Sequence, residues 1–252
     1  MLKAVSMLSE NHAPAYREVT RRLADRLGMP VQLEEQVPWR QRQRRLLAGE
    51  AHLGFLCGLP YVEKADRLEL LAAPVMKGAR YRDRPVYFSD VVVRSNSPFQ
   101  TLADLRGARW AYNESESHSG YNVVRAHLAR RGWQDRFFGS SQESGAHLTS
   151  LDWILTGRVD ASALDSTVLD TELEARPELL SQIRVLERLG PSPIQPAVAS
   201  LALQPDLRAL LRDTLLELKL ENLPMVRFAA VTDADYDPIR AMLREARPVQ
   251  LA

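Results

Sequence analysis

Short apolar runs alternate with amphipathic segments along the whole chain. The strand-like runs occupy residues 3–8, 31–37, 51–56, 68–75, 85–94, 108–113, 159–164 and 182–187. Between them, apolar residues recur at helical spacing, as Leu148, Leu151 and Leu155 do before Gly157. This alternation of strands and helices predicts an α/β fold in which helices flank β-sheets, with the strand order left open.

Composition narrows the class of protein. With 252 residues, 45% of them hydrophobic, the chain can bury a core as one large domain or as two lobes of about 100 residues each. Lys and Arg number 33 against 32 Asp and Glu, so no strong field favours a nucleic-acid partner. No run of 18 apolar residues occurs, which predicts that nothing inserts into a membrane.

The residues of metal sites and enzymes do not occur in recognisable patterns. A single cysteine, Cys57, excludes an internal disulfide and a metal site built from cysteines. The five histidines lack metal-ligand spacing, and neither a glycine-rich phosphate loop nor a nucleophile elbow is present. Asp233, Asp235 and Asp237 imitate the start of a calcium loop. Pro238 stands where that loop needs glycine, and Arg244 stands where it needs a bidentate acid. The sequence therefore predicts no metal site, and nothing in it marks an enzyme.

Residues 113–124, NESESHSGYNVV, form a polar stretch that leads into a helical apolar pattern. One interpretation is ordinary N-capping of the helix by Ser117 or Ser119. The other is an anion site, because free N–H groups and the positive end of the helix dipole favour negative charge. Spacing alone does not decide between them.

Two more polar junctions, at residues 139–145 and 165–167, stand between a strand-like run or turn and a helix. Because ligands of open α/β sheets bind at the carboxyl ends of strands, we expect the three junctions to share one edge of a sheet. The turn-rich segments 95–107 and 190–196 are predicted crossings between lobes. The basic run 40–45 after Trp39 is interpreted as a solvated helix face rather than a nucleic-acid patch.

Taken together, residues 49–65, 86–94, 101–124, 139–170, 190–196 and 231–242 resemble the phosphonate-binding proteins of ABC importers. The resemblance implies a two-lobed type II periplasmic-binding-protein fold, each lobe a mixed sheet flanked by helices. It also implies a ligand cleft between the lobes and no cofactor. We expect lobe one to comprise residues 1–93 and 189–252 and lobe two residues 94–188, with a hinge near Val93–Arg94 and Leu186–Arg188.

The resemblance also assigns a binding site. In that family a Ser-Thr-Ser-Gly-Tyr-like stretch at a helix start grips the phosphonate oxygens, and residues 117–121, SHSGY, occupy it here. His118 is bulkier than the usual residue, and Ser141 stands where the family often has histidine. Asp165 would pair with an amino group of the ligand. The predicted ligand-binding residues are Ser117, His118, Ser119, Gly120, Tyr121, Ser141, Asp165 and Ser166, with the aromatic residues Trp39, Tyr61 and Tyr87 from the first lobe.

The function expected from the resemblance is a solute-binding protein that captures a small anionic ligand, a phosphonate or related oxyanion compound, by lobe closure and delivers it to an ABC permease. Beside such an anion, His118 would be charged, with a raised pKa. Two alternatives stay open. One is a cytoplasmic enzyme on the same fold that resembles chorismate dehydratase, with His118 and Asp165 moving protons. The other is a cytoplasmic ligand sensor.

The cellular location stays open at this stage. The apolar run at the N-terminus is too short for a signal peptide, so no export signal is expected in this chain. The resemblance implies the periplasm, and the cytoplasm is the alternative if no leader precedes this chain.

Overall fold

The computed structural model describes residues 1–252 and divides into two compact units. The first unit comprises Met1–Val86 and Pro193–Asp237, and the second comprises Tyr87–Ser192 and Pro238–Ala252. The chain therefore passes from one unit to the other three times. Each unit has its own sheet.

The strands are β1 (Leu2–Ser6), β2 (Val31–Leu33), β3 (Leu53–Phe55), β4 (Leu68–Met76), β5 (Val86–Arg94), β6 (Arg109–Tyr112), β7 (Ser140–Glu143), β8 (Ala161–Asp165), β9 (Ile183–Pro193), β10 (Ala197–Ser200) and β11 (Met225–Ala229). The helices are α1 (Ala13–Leu27), α2 (Trp39–Leu47), α3 (Gly58–Glu63), α4 (Val123–Arg130), α5 (His147–Leu155), α6 (Ser166–Ala175), α7 (Leu179–Gln182), α8 (Pro205–Glu217) and α9 (Asp237–Ala246). None of these helices is long and apolar enough to cross a membrane.

The first unit contains a six-stranded mixed sheet in the order β11-β4-β10-β3-β1-β2. Strand β1 runs parallel to β2 and β3, whereas β10 is antiparallel to β3 and β4. Helix α1 shows why its sequence folds as it does: Tyr16, Val19 and Leu23 recur on one face and are buried, and Gly28, with φ of 64°, ends the helix.

The second unit contains a five-stranded mixed sheet in the order β7-β6-β8-β5-β9. Strand β6 runs parallel to β7 and β8, and β5 is antiparallel to β8 with Ser89 opposite Asp165. The carboxyl ends of β6, β7 and β8 and the beginning of β5 therefore lie at one edge of this sheet. The α/β class with mixed sheets flanked by helices is confirmed.

The unit boundaries differ in position from those expected of the sequence. Strands β5 and β9 both belong to the second sheet, so the chain changes units at 86/87 and 192/193 rather than at 93/94 and 188/189. The residues expected to form the hinge lie inside these two paired strands. Residues 95–107 lie within the second unit.

Residues 238–252, expected in lobe one, lie in the second unit. Helix α9 buries Ile239, Met242 and Ala246, and the last two of these pack in the same core as Trp110. Leu251 belongs to the same core, and its carbonyl accepts a hydrogen bond from the amide of Phe138 at 2.8 Å. The end of the chain is thus part of the second unit's core.

Candidate functional site

Polar side chains that are almost fully buried gather around one edge of the second unit's sheet. We call them the polar cluster: Ser89, Asn113, Ser117, His118, Ser119, Asn122, His147, Asp165, Ser166 and Ser192. They follow the ends of β6, β7 and β8 or lie near the beginning of β5 and the end of β9. The expectation that the three polar junctions share one sheet edge is confirmed by the parallel pairing of β6 with β7 and β8.

The junction after β6 is a helix start capped by Ser117. The Ser117 hydroxyl accepts a hydrogen bond from the amide of Gly120 at 3.1 Å, so Ser117, and not Ser119, is the N-cap. Residues His118–Asn122 then form one turn of π-helix before α4 begins, and such turns occur often at functional sites. N-capping and an anion site are therefore compatible interpretations, because Ser117 caps the helix and the Ser119 hydroxyl is not needed for capping.

Ser119 is the available serine. Its side chain is buried, and its hydroxyl lies 3.2 Å from Nε2 of His147. Its carbonyl accepts a hydrogen bond from the Ser89 hydroxyl at 2.5 Å, which ties the helix start to β5. The hydroxyl of Ser119 is therefore held at the positive end of the helix by a neighbouring imidazole rather than by its own backbone.

His118 is fully buried and neutral. Its Nδ1 lies 3.1 Å from the side-chain nitrogen of Asn122, and its Nε2 lies 3.0 Å from the Ser192 hydroxyl. Burial lowers the pKa of His118 from 6.5 to about 3, because a charged ring would lose its hydration. Burial thus opposes the charge expected of His118 beside a bound anion, and the rise of its pKa on binding stays a prediction. A ring that stays neutral near pH 7, with both nitrogens in contact, is also poorly suited to proton transfer.

The buried His118 should make folding stability depend on pH. Between about pH 6.5 and about pH 3 the unfolded chain binds a proton at this ring that the folded chain does not, so stability falls as the pH falls through that window. We expect a loss of about 2 kcal/mol in the free energy of unfolding on going from about pH 7.5 to about pH 5. Urea unfolding at the two pH values measures this loss.

His118→Gln should remove most of that pH dependence, because glutamine does not titrate. The pKa of His127 is also lowered by burial, but this ring is partly exposed, so His127→Gln is the control and should change the slope less. Equal slopes in the parent and in His118→Gln would contradict the assignment.

Asp165 and Ser166 both have structural partners. Asp165 ends β8 and caps α6, since its Oδ1 accepts hydrogen bonds from the amide and the hydroxyl of Thr167 at 2.8 and 2.7 Å. The Ser166 hydroxyl accepts a hydrogen bond from the amide of Phe88 at 3.0 Å. Both side chains belong to the polar cluster, as expected. A contact of Asp165 with an amino group of a ligand stays a prediction.

Three further predicted residues lie in the second unit in different surroundings. Tyr87, expected in lobe one, is a buried residue of this unit whose ring centre lies 6.4 Å from that of His118. The Tyr121 ring is not in the polar cluster, because it packs against Tyr112 at 4.7 Å. Ser141 lies in the edge strand β7 and likewise stays outside the cluster.

The other two predicted aromatic residues lie in the first unit. The Tyr61 hydroxyl donates to Oδ1 of Asp233 at 2.8 Å, and its buried ring packs edge-on against Tyr236 at 4.8 Å. Trp39 is the first residue of α2 and is half-buried, with the Arg40 guanidinium 5.5 Å from its ring centre. Their roles in ligand binding stay predictions.

Sequence reasoning missed five members of the polar cluster, namely Ser89, Asn113, Asn122, His147 and Ser192. His147 matters most because it contacts the hydroxyl of Ser119. The only sequence signal for it is its position at the start of the helix after the polar turn 139–145. No group of three or more His, Cys, Asp or Glu side chains is arranged to hold a metal ion. The cluster offers hydroxyls, amides, neutral imidazole and the positive end of a helix, which together suit an oxyanion.

Comparisons with known proteins support this reading of the fold. A family model described as the periplasmic substrate-binding protein of the phosphonate ABC transporter matches residues 4–236. A binding protein of an ABC phosphonate transporter from Pseudomonas aeruginosa is 17% identical, with a TM-score of 0.84 over 98% of this chain and 87% of its own.

Two other solved structures have the same fold. PhnD1 from Prochlorococcus marinus, solved with methylphosphonate, is 16% identical, with a TM-score of 0.82 over 98% of both chains. A Xanthomonas citri protein bound to ATP is 18% identical, with a TM-score of 0.72 over 98% of this chain and 96% of its own. At these identities the likeness shows the fold, which is that of type II periplasmic binding proteins.

Proposed function

The chain belongs to the family of periplasmic substrate-binding proteins of phosphonate ABC transporters, and on this premise we propose that it captures a small anionic solute for an ABC importer. The solute is a phosphonate or a related oxyanion compound. The family consists of solute-binding proteins and not of enzymes, and we propose that this chain likewise releases its ligand unaltered.

The proposal rests on the position of the Ser119 hydroxyl. Its hydroxyl is not used to cap its own helix, although it lies within the first turn and is buried among polar groups. Because the first amides of a helix have no acceptor within the helix, this hydroxyl and the neighbouring N–H groups can converge on one oxyanion. His147 contacts the same hydroxyl and fixes its position.

Charge supports an anion at this place. The positive end of the helix dipole favours negative charge by about 0.3–1 kcal/mol, and by up to about 2 kcal/mol when partly buried. The carboxyl group of Asp165 belongs to the same cluster and suits a ligand that also carries an amino group. An aminophosphonate would combine both features.

The role of the first unit and the manner of capture stay predictions. We propose that Trp39 and Tyr61 contribute from that unit and that the ligand is captured by closure of the two units, as in other hinge-type proteins. An ABC permease is the proposed partner, on the basis of family membership alone.

A thermal-shift screen tests the function directly. The panel is methylphosphonate, 2-aminoethylphosphonate, phosphate, phosphite, methanesulfonate and acetate. A ligand present at 100 times its dissociation constant should add about 2.7 kcal/mol to the free energy of unfolding. Recovery of the ligand unchanged after incubation separates binding from catalysis. Conversion of the ligand to a product would overturn the proposal in favour of an enzyme.

Ser119→Ala should lower the affinity for the best ligand of the panel about ten-fold while leaving the fold intact, because one hydrogen bond to a charged group is lost. Isothermal titration calorimetry measures the affinity. The control is Ser181→Ala, since Ser181 is an exposed serine of the same unit that hydrogen-bonds only the carbonyl of Glu178. If Ser119→Ala binds as tightly as the parent, the anion site lies elsewhere.

A further inference from the structure

Asn113 places a buried acceptor against the helix start. It follows β6 directly, is only 9% exposed, and its side-chain oxygen Oδ1 accepts no hydrogen bond. This oxygen contacts Gly120 so closely that a Cβ atom on Gly120 would lie 1.9 Å from it. The backbone holds Asn113 in place, because its carbonyl accepts a hydrogen bond from the amide of Gly145 at 2.8 Å. A buried acceptor without a donor is costly, which suggests that a ligand supplies the donor.

The charges around the polar cluster also favour a ligand that carries a hydrogen-bond donor rather than a second negative charge. No lysine or arginine is among the buried side chains, whereas two buried carboxyl groups, Asp90 and Asp165, lie in or next to the cluster. Two arginines of the same unit have partners elsewhere: Arg125 donates to the carbonyl of Val249 at 3.0 Å, and the exposed Arg188 lies 3.9 Å from Asp90. A ligand with two negative charges would therefore find hydroxyls and amides but no buried cation.

We propose that the site takes the singly charged, proton-bearing form of its oxyanion, so that the P–OH group of a hydrogen phosphonate donates to Oδ1 of Asn113. This inference rests on the proposed function of the site. The remaining phosphonate oxygens accept hydrogen bonds from the Ser119 hydroxyl and the helix-start amides.

The number of hydrogen-bond donors and acceptors explains why the singly charged form is preferred. A doubly charged phosphonate offers acceptors only, so one of its oxygens would face Oδ1 of Asn113 with no hydrogen between them. The singly charged form converts that repulsion into a hydrogen bond. His118 agrees with this picture, since burial holds its pKa at about 3 and leaves a neutral ring that adds no positive charge.

Several protein groups could also respond to pH, and the experiment has to separate them from the ligand. They are His118 and His147 of the cluster, Asp90 of β5, Asp165 of β8, Glu114 and Glu116 of the loop after β6, Glu143 of β7, and the phenols of Tyr87, Tyr112 and Tyr121. A protein group that titrates would alter the affinity for every anion. A titrating ligand alters only its own.

The test is calorimetric titration of the parent protein with methylphosphonate and with methanesulfonate from about pH 6 to about pH 9, which spans the second ionisation of a phosphonate. Methanesulfonate has a similar shape and one negative charge, but it carries no proton at any of these pH values. We expect the affinity for methylphosphonate to fall about ten-fold for each pH unit above its second ionisation, as the competent form is depleted. The affinity for methanesulfonate should stay constant.

Asn113→Ala tests the assigned acceptor. At about pH 6 the parent should prefer methylphosphonate to methanesulfonate about ten-fold, and Asn113→Ala should abolish that preference. The control is Asn96→Ala, because Asn96 is exposed in the same unit and should leave the preference unchanged. Thermal unfolding of both variants verifies that they are folded. If methanesulfonate binds too weakly to titrate, the affinity for methylphosphonate alone tests the role of Asn113. We expect Asn113→Ala to lower that affinity about ten-fold.

Each outcome has a definite meaning. Equal pH dependence for both ligands, a flat profile for methylphosphonate, or tighter binding of its doubly charged form overturns the inference while leaving the anion site in place. An unchanged preference in Asn113→Ala overturns the role of that side chain. Absence of binding for both ligands, and for the rest of the panel, overturns the proposed function itself.

Discussion

Gly120→Ala should strongly weaken solute binding and also destabilise the second unit. An added Cβ would lie 1.9 Å from Oδ1 of Asn113 and 3.3 Å from Cε1 of His147, so the π-helical turn cannot keep its place. Overpacking of this kind costs about 1–3 kcal/mol of folding free energy. Because the displaced turn carries the proposed anion site, we expect affinity to fall on the order of 30-fold, equivalent to about 2 kcal/mol. Urea unfolding and calorimetric titration measure the two effects.

The double variant Gly120→Ala with Asn113→Ala is the matched control. It removes the side chain that the new methyl group would strike, so most of the lost stability should return. The contact with His147 stays, so recovery should be incomplete. If Gly120→Ala alone is as stable and binds as tightly as the parent, the close approach of Asn113 to the helix start is wrong.

Trp110→Ala should unfold the second unit at much lower denaturant concentration than in the parent. Trp110 lies in β6, is 1% exposed, and stacks on Phe138 with ring centres 4.3 Å apart. Truncation of a buried tryptophan typically costs about 3–5 kcal/mol, because the lost contacts leave a cavity. Since each unit has its own sheet, we expect the transition to split into two, with the first unit unfolding near its original midpoint.

Trp153→Ala provides the comparison within the same unit. Trp153 is only half-buried and faces the guanidinium of Arg158, 3.6 Å from its ring centre. Its loss should cost clearly less than that of Trp110. Far-UV circular dichroism against urea concentration follows both variants. A single unshifted transition in Trp110→Ala would show that the stacked ring contributes little to the core.

The apolar pattern was sufficient to predict the eight strands with the strongest signals, and each is present in the structure. Three strands were missed. Strand β7, SSQE, is a polar edge strand without alternation, and β10, AVAS, consists of small residues between two partner strands. In β11, MVRFA, the buried Met225 and Phe228 do not alternate, because a register shift interrupts its pairing with β4. Tertiary pairing, and not local pattern, creates these three strands.

The site was predictable where it depends on local spacing and not where it depends on contacts distant in sequence. Helical spacing after a serine-rich stretch located the helix start, and Ser117 caps it. The contact between Ser119 and His147 joins residues 28 positions apart, and no single-sequence pattern reports such a pair. The low pKa of His118 was not predictable either, because it results from burial, which depends on the whole fold.

The path of the chain also dictates the order in which the two units can be completed during synthesis. All strands of the first sheet have left the ribosome once residue 229 is free, although residues 87–192 were made in between. The second unit has all its strands earlier, yet its core still waits for α9 and for Leu251. The five strands of the second sheet, which carry the proposed anion site, must therefore persist without their last packing partner while the first unit is finished. A nascent chain would expose the apolar surface around Trp110 during that interval, which makes this surface the natural place for a chaperone to bind.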